Sequence, residues 1–384
     1  MHPTEERCCI NHVYKEIDRM DILSGNELKS LMQRQLGICV SIYMPAVKNG
    51  TGIQQNQIRY KNLLRNAEDR LLSSELRPSE IKDILAPAQE MSGNQPFWHS
   101  QSDGLAMFLS PDSFRYYRLP QNFKELVVIT DRFHIKPLIP LIASDTEFYI
   151  LAISQKDVRL LRCSLQHAEE MEHKDIPENL DEALNLDDFE KRLQRHTGSE
   201  DMKANLLQYF QHVDRGLHEL LKDKKVPLIF AGVDYLLPIY REANTYPCLT
   251  DRGISGNPKG LSADRLLDMA RPIVESFLET KRADALSQYR QNAGTGSTSS
   301  DVREIVPAAY HGRVGILFVS VGVQQWGTFD STTSEINLDK DAGVGNEDLL
   351  DLAAIQTILN GGTVYAMSRE KIPTDSALAT IFRY

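Results

Sequence analysis

Apolar and polar positions alternate through Ile38, Val40, Ile42 and Met44, with Cys39, Ser41 and Tyr43 between them. That period predicts a strand ending at Pro45. Ahead of it, Ser24-Gly25-Asn26-Glu27 has capping-box spacing and predicts a helix through Leu28 and Leu31. Residues 53–72 then switch to a helical period, with Ile53, Ile58, Leu64 and Leu71 as core contacts, and a further helix starts at Pro78-Ser79-Glu80. GLAMFLS and FRYYRLP flank the turn residues Pro111, Asp112 and Ser113 as a hairpin, and ELVVIT adds another strand.

The pattern restarts at Glu147. EFYILAIS and VRLLRCS predict a second hairpin about Gln155-Lys156-Asp157, and an acidic stretch leads to a helix. That helix carries Leu206, Phe210, Val213, Leu217 and Leu220 or Leu221 on one face. VPLIFAGV (226–233) is almost continuously apolar, as a strand covered on both faces would be, and a helical segment around YLLPIYREAN follows. Residues 262–290 are helical with Pro272 predicting a kink or break, and GTGSTSS (294–300) is the most loop-like segment. Finally DVREIVPAAYHG predicts a helix closing on Gly312, RVGILFVSV a buried strand, NEDLLDLAAIQTILNGG a helix stopped by two glycines, and TVYAMS a last parallel strand. The whole predicts a multidomain α/β and α+β protein. Its boundaries fall near residues 144 and 276, giving sections 1–144, 145–275 and 276–384, the last a small α/β sandwich.

The composition, 41% hydrophobic and 25% charged over 384 residues, is that of a globular protein with several domains. Five cysteines, none in C-x-x-C spacing, argue against a zinc ribbon or disulfide framework and for a reducing cytoplasm. No stretch reads as a signal peptide or a membrane span. The net charge of −10 weighs against indiscriminate coating of nucleic acid. The first third is near neutral, and its clearest basic stripe is Arg59, Lys61, Arg65 and Arg70, balanced by Glu68 and Asp69.

Candidate chemistry is sparse. RHTGSEDMK (195–203) places His196 and Ser199 three residues apart, but no third residue that would orient His196 can be identified. Thr197 as N-cap with Glu200 as N3 completes a capping box, and Glu200 and Asp201 suit the positive end of the helix dipole, so a helix start is the stronger reading. GTGSTSS lacks both the preceding strand and the lysine of a phosphate-binding loop. His167 and His173 with Glu169, Glu170 and Glu172 lack the spacing of a metal site and read as a solvated acidic face. The aromatic doublets read as core. No catalytic residue, cofactor or metal is expected.

Several stretches together carry a resemblance: SIYMP followed by IRYKNLLRNAEDRL, VDRGLHELL followed by PLIFAGVDYLLPIYREAN, HGRVGILFVS, and the tail NGGTVYAMSREKIP with ATIFRY. They resemble the bacterial relatives of the archaeo-eukaryotic class-one release factor and Pelota, most of all bacterial archaeo-eukaryotic release factor family 3. The resemblance covers nearly the whole chain. It implies an N-terminal α+β domain, a ribonuclease-H-like middle domain and an L7Ae-like C-terminal domain.

It also implies a monomeric, ribosome-associated factor of the A site. Arg59, Lys61, Arg65 and Arg70 would meet rRNA phosphates, and the third domain would meet a translational GTPase of the elongation-factor type. The releasing loop of such factors corresponds to His196, Thr197, Gly198, Ser199, Glu200 and Lys203. A releasing factor carries Gly-Gly-Gln there, where this sequence has HTGSEDMK, and the codon-reading Asn-Ile-Lys-Ser is not found in the first third. The expectation is therefore occupancy of the ribosome in hibernation, stalling or rescue without peptide release. The alternative is an atypical hydrolase of peptidyl-tRNA or RNA using His196, Ser199 and Glu200.

Overall fold

The structure is a computed structural model that describes residues 23, 25–33, 37–48, 52–74, 76–144, 147–154, 157–165, 167–172, 176–177, 199–222, 224, 226–343 and 345–384. The chain divides into two compact units: an inner unit of residues 141–288, and a split unit made from residues 1–140 and 289–384.

The first half of the split unit runs α1 (Gly25–Gln33), β1 (Cys39–Pro45), α2 (Gly52–Leu72), α3 (Pro78–Met91), α4 (Gln95–His99), β2 (Gly104–Ser110), β3 (Ser113–Leu119), β4 (Leu126–Thr130) and α5 (Ile139–Ser144), the last of which crosses into the inner unit. Its strands form an antiparallel sheet in the order β3-β2-β1-β4. Val40, Ile42, Met44, Leu105, Met107 and Leu109 point to one face and pack under Tyr60, Leu64, Leu71, Ile84, Leu85 and Trp98 of the helices. The alternation in β1 predicts one buried face, yet Cys39, Ser41 and Tyr43 are buried too. They lie under the segment after β4, where the Tyr43 hydroxyl donates to the His134 carbonyl at 2.5 Å and the His134 amide donates to Ser41 Oγ at 3.0 Å.

Two expectations for α2 separate here. Leu64 and Leu71 are buried, whereas Ile58 is 61% exposed. The inner position goes instead to Asn56, whose side-chain amide bonds both the amide and the carbonyl of Val47 at 3.1 and 3.0 Å.

The inner unit contains β5 (Phe148–Ser154), β6 (Asp157–Cys163), β7 (Ala168–Met171), α6 (Ser199–Leu221), β8 (Leu228–Gly232), α7 (Leu236–Ala243) and β9 (Ile254–Ser255). Helix α8 (Ala263–Asn292) begins in this unit and ends in the split one. The sheet order is β7-β6-β5-β8-β9, antiparallel through β7-β6-β5 and parallel through β5-β8-β9. Tyr149, Leu151, Phe230 and Leu160 meet Tyr209, Phe210, Val213, Leu217 and Tyr240 of α6 and α7 on one face. Ile150, Ala152, Ile229 and Ala231 meet Leu266, Leu267, Ala270 and Val274 of α8 on the other. Both β5 and β8 are thus buried on two sides, which for β8 is what the apolar run 226–233 predicts.

Pro272 does not break α8, which runs through it, and the boundary expected near residue 276 falls inside this helix. Pro272 and Asp268 are both on the exposed side, where water can satisfy the carbonyl that lacks its amide partner.

The remainder of the split unit comprises β10 (Thr298–Ser299), α9 (Val302–Tyr310), β11 (Val314–Ser320), β12 (Trp326–Phe329), β13 (Ile336–Leu338), β14 (Glu347–Asp348), α10 (Leu349–Leu359), β15 (Thr363–Met367) and β16 (Leu378–Phe382). A mixed sheet, β10-β16-β11-β15, has β11 parallel to β15 and antiparallel to β16. TVYAMS is therefore parallel as predicted, but it is not last. ATIFRY supplies β16, and the loop-like 294–300 segment supplies its partner β10. Asp301 caps α9 by accepting from the Arg303 amide at 2.9 Å, and Gly312 follows that helix at φ +72°. A second small sheet, β13-β12-β14, lies between β11 and α10.

Candidate functional site

The segment singled out by sequence enters α6. His196, Thr197 and Gly198 lie outside the described residues, and so does the Thr197–Glu200 capping box. Ser199 and Glu200 form the start of α6. Lys203, one turn on, is exposed, and its ammonium lies 2.8 Å from Glu242 of α7. An ion pair half open to water on both sides contributes at most about 1 kcal/mol, so it orients Lys203 more than it stabilises the fold.

What anchors α6 is apolar and polar burial further along. Phe210 is fully buried, with rings of Tyr209 and Tyr240 at 5.3 and 5.4 Å. Buried Asp214 accepts from the Thr245 amide and hydroxyl at 3.0 and 2.7 Å, which ties α6 to the chain after α7. These contacts fix the body of α6 within the inner unit.

The basic stripe on α2 separates into two pairs. Arg59 and Arg70 are about three turns apart and share one face. Arg59 Nε pairs with Glu125 at 2.7 Å and its Nη1 donates to the Pro45 carbonyl at 3.2 Å. Arg70 Nη1 donates to the Val127 carbonyl at 2.6 Å, and burial lowers its proton affinity. Both guanidinium groups brace the helix against the chain at β4. Lys61 and Arg65, one turn apart, are exposed, and no hydrogen bond or ion pair among the described residues engages either. The exposed amides Gln54, Gln55, Asn62 and Asn66 accompany them.

His167 and the acidic strand beside it do not form a metal centre. Arg159 clamps Glu170 at 2.9 Å, and among the described residues no group of three or more His, Cys, Asp or Glu side chains is arranged to hold a metal ion. His173 lies outside the described residues.

Sequence reasoning misses one buried group of titratable side chains altogether. The segment after β4 and the entry to α10 enclose Arg132, His134, Lys136, Glu347, Asp348 and Asp351. The Lys136 ammonium, fully buried, donates to Asp348 Oδ2 and, at 2.5 Å, to the Val323 carbonyl. Asp351 Oδ1 accepts from the amides of Ile135, at 2.8 Å, and Lys136. His134 Nδ1 lies 3.6 Å from Asp351 Oδ2 and 3.9 Å from Asp348 Oδ2, while its buried Nε2 has no partner. Asp348 Oδ1 caps α10 through the Leu350 amide at 3.1 Å and also accepts from the Gln325 amide at 3.0 Å. Burial depresses the His134 ring and raises the Asp351 carboxyl. More than 200 residues separate the two halves of this cluster, so no local spacing announces it.

Residues 147–313 match the family model of bacterial archaeo-eukaryotic release factor family 3. The resemblance read from the sequence holds over that stretch. It spans the inner unit's sheet, α6 with its approach, α7, α8 and α9. No curated protein matches the chain.

Among solved structures, an archaeal translation termination factor, aRF1, is 14% identical over 94% of this chain and 98% of its own, with a TM-score of 0.25. Archaeoglobus fulgidus Pelota is 15% identical over 73% of this chain and 79% of its own, with a TM-score of 0.29. An archaeal Pelota described as ribosome-bound with ABCE1 is 11% identical over 94% of both chains, with a TM-score of 0.40. Among the described residues no helix is long and apolar enough to cross a membrane.

Proposed function

We propose that this chain is a ribosome-associated translation factor of the release-factor and Pelota type. It occupies the A site in hibernation, stalling or rescue, and does not release peptide. The observation that carries the reading is the family match across residues 147–313, combined with HTGSEDMK where a releasing factor would have Gly-Gly-Gln. Without the glutamine that helps position water, and with a single glycine, the approach to α6 acts as a probe or plug in the large-subunit centre. Its residues are His196, Thr197, Gly198, Ser199, Glu200 and Lys203.

On this reading the inner unit is ribonuclease-H-like and the β10-β16-β11-β15 layer is L7Ae-like, offering a face to an elongation-factor-type GTPase. The factor works in the cytoplasm as a monomer, with no cofactor. Of the four basic residues on α2, Lys61 and Arg65 are the ones available to rRNA phosphates, because Arg59 and Arg70 are engaged at β4. Local contacts of this kind tolerate an acidic protein, since RNA is recognised largely by shape and phosphate position.

Co-sedimentation with 70S ribosomes through a salt series tests the proposal. The protein is expected in the ribosomal fraction at low salt, and its remaining at the top of the gradient overturns the reading. A peptidyl-tRNA hydrolysis assay separates the alternative. No turnover above buffer is expected; turnover that vanishes on replacing His196, Ser199 and Glu200 with Ala would make the protein a hydrolase instead.

A further inference from the structure

The interior cluster of the split unit is unbalanced in charge. Three carboxylates, Glu347, Asp348 and Asp351, face two basic side chains, Arg132 and Lys136. The Arg132 contact is the weaker one. Its Nε lies 3.2 Å from Glu347 Oε2 but donates to Asp131, so that Glu347 oxygen is buried with no hydrogen-bond donor. Asp131 adds a fourth, mostly exposed, negative charge at the rim. Tyr43 closes the floor from β1 with its hydroxyl committed to the His134 carbonyl.

Full ionisation would therefore leave a net negative charge where water is nearly absent, and a buried unpaired charge costs several kcal/mol. One proton removes the excess. His134 is the less favoured carrier, since burial opposes its charging. Glu347 is the more favoured one, because its proton-accepting oxygen lacks a donor and the neighbouring Asp348 and Asp351 repel a second charge.

We infer that this cluster is a proton-dependent latch: a proton on Glu347 holds the segment 131–137 against the entry to α10, and its loss loosens that contact. The latch stands on its own and needs nothing of the translational reading. Burial, followed by repulsion from Asp131, Asp351 and Asp348 against the pull of Arg132, raises Glu347 from 4.5 to about 7. A folded value above the free one means the closed state binds the proton more tightly. The contribution is full below about 4.5 and is lost as pH rises through about 7. His134 works in the opposite sense, and its depressed ring keeps that effect to the acid side of its ordinary range.

Amide hydrogen exchange, corrected for the intrinsic pH dependence, reads the latch directly at Ile135, Lys136, Gln325 and Leu350, whose amides donate to Asp351 and Asp348. Protection at these four is expected to fall about tenfold between pH 6 and pH 8, as a single proton bound near pH 7 requires. The Tyr149 and Thr250 amides of the inner unit, bonded to Pro227 and Leu228, serve as controls that should not change. Glu347→Gln should abolish the dependence. Flat protection in the wild-type protein overturns the inference, as does an equal fall at the controls, or a full tenfold dependence surviving in E347Q. Should that variant fail to fold, flat protection in the wild-type protein still overturns the inference.

Discussion

Replacing Lys136 with Met tests whether the buried cluster binds the two halves of the split unit. Met preserves most of the apolar stem that Lys136 packs and removes only the ammonium. The loss leaves Asp348 Oδ2 facing only the His134 ring, whose Nδ1 is 3.9 Å away and whose charging burial opposes, while Asp348 Oδ1 keeps the Leu350 and Gln325 amides. Breaking one side of a buried pair costs about 3–5 kcal/mol, because the surviving charge is uncompensated. With a urea slope of about 2–3 kcal/mol per molar, the midpoint of the split unit should fall by roughly 1–2 M. The chain's two tryptophans, Trp98 and Trp326, both lie in that unit, so their fluorescence reports its unfolding and leaves the inner unit silent. Asp348→Asn retains the capping oxygen and removes the charge. Combined with Lys136→Met, it should recover about 1–3 kcal/mol of the additive expectation. A midpoint shift below about 0.3 M for K136M refutes the argument. So does a double variant that is additive within about 0.5 kcal/mol.

Three further outcomes follow from the geometry. Lys61→Ala with Arg65→Ala should weaken ribosome co-sedimentation and reduce its salt slope by about one to two units. Arg59→Ala and Arg70→Ala should act instead on the stability of the split unit; an equal loss of binding in both pairs, with stability unchanged, would contradict this assignment. Gly253→Ala should destabilise the inner unit by about 1–3 kcal/mol, measured by thermal unfolding, since an added Cβ would sit 2.6 Å from the Phe230 carbonyl oxygen. Finally, burial pushes the Cys163 thiol up to about 12, so alkylation at pH 8 should leave it intact until the protein unfolds.

Where a local pattern decides burial, the sequence is a faithful guide. The face of α6 and the double-sided burial of β8 follow from local periods, and the parallel sense of β15 from the helix–strand order around it. Departures arise where a distant segment intervenes. The second face of β1 is covered by residues 133–138 and their partners in α10, which alternation along 38–44 cannot register. Ile58 is displaced outward because Asn56 holds Val47 by two hydrogen bonds. The sheet of β12, β13 and β14 escapes notice because its strands are two to four residues long, too short to display a period. For the candidate site, the sequence marks the approach to α6 and the cations of α2, but only the structure divides those cations into bracing and solvent-facing pairs.

The interruption of the split unit by residues 141–288 also fixes an order of events during synthesis. Translation delivers every residue of the inner unit before α10 exists, so that unit can complete its own two-sided sheet while the other remains half made. During that interval Lys136, His134 and the Ile135 amide have none of the carboxylates they will later meet, and the Tyr43 side of β1 lacks its final cover. Residues 289–384 therefore close a structure begun by residues 1–140. A stall late in translation would leave the earliest sheet, not the latest, as the exposed part of the nascent chain.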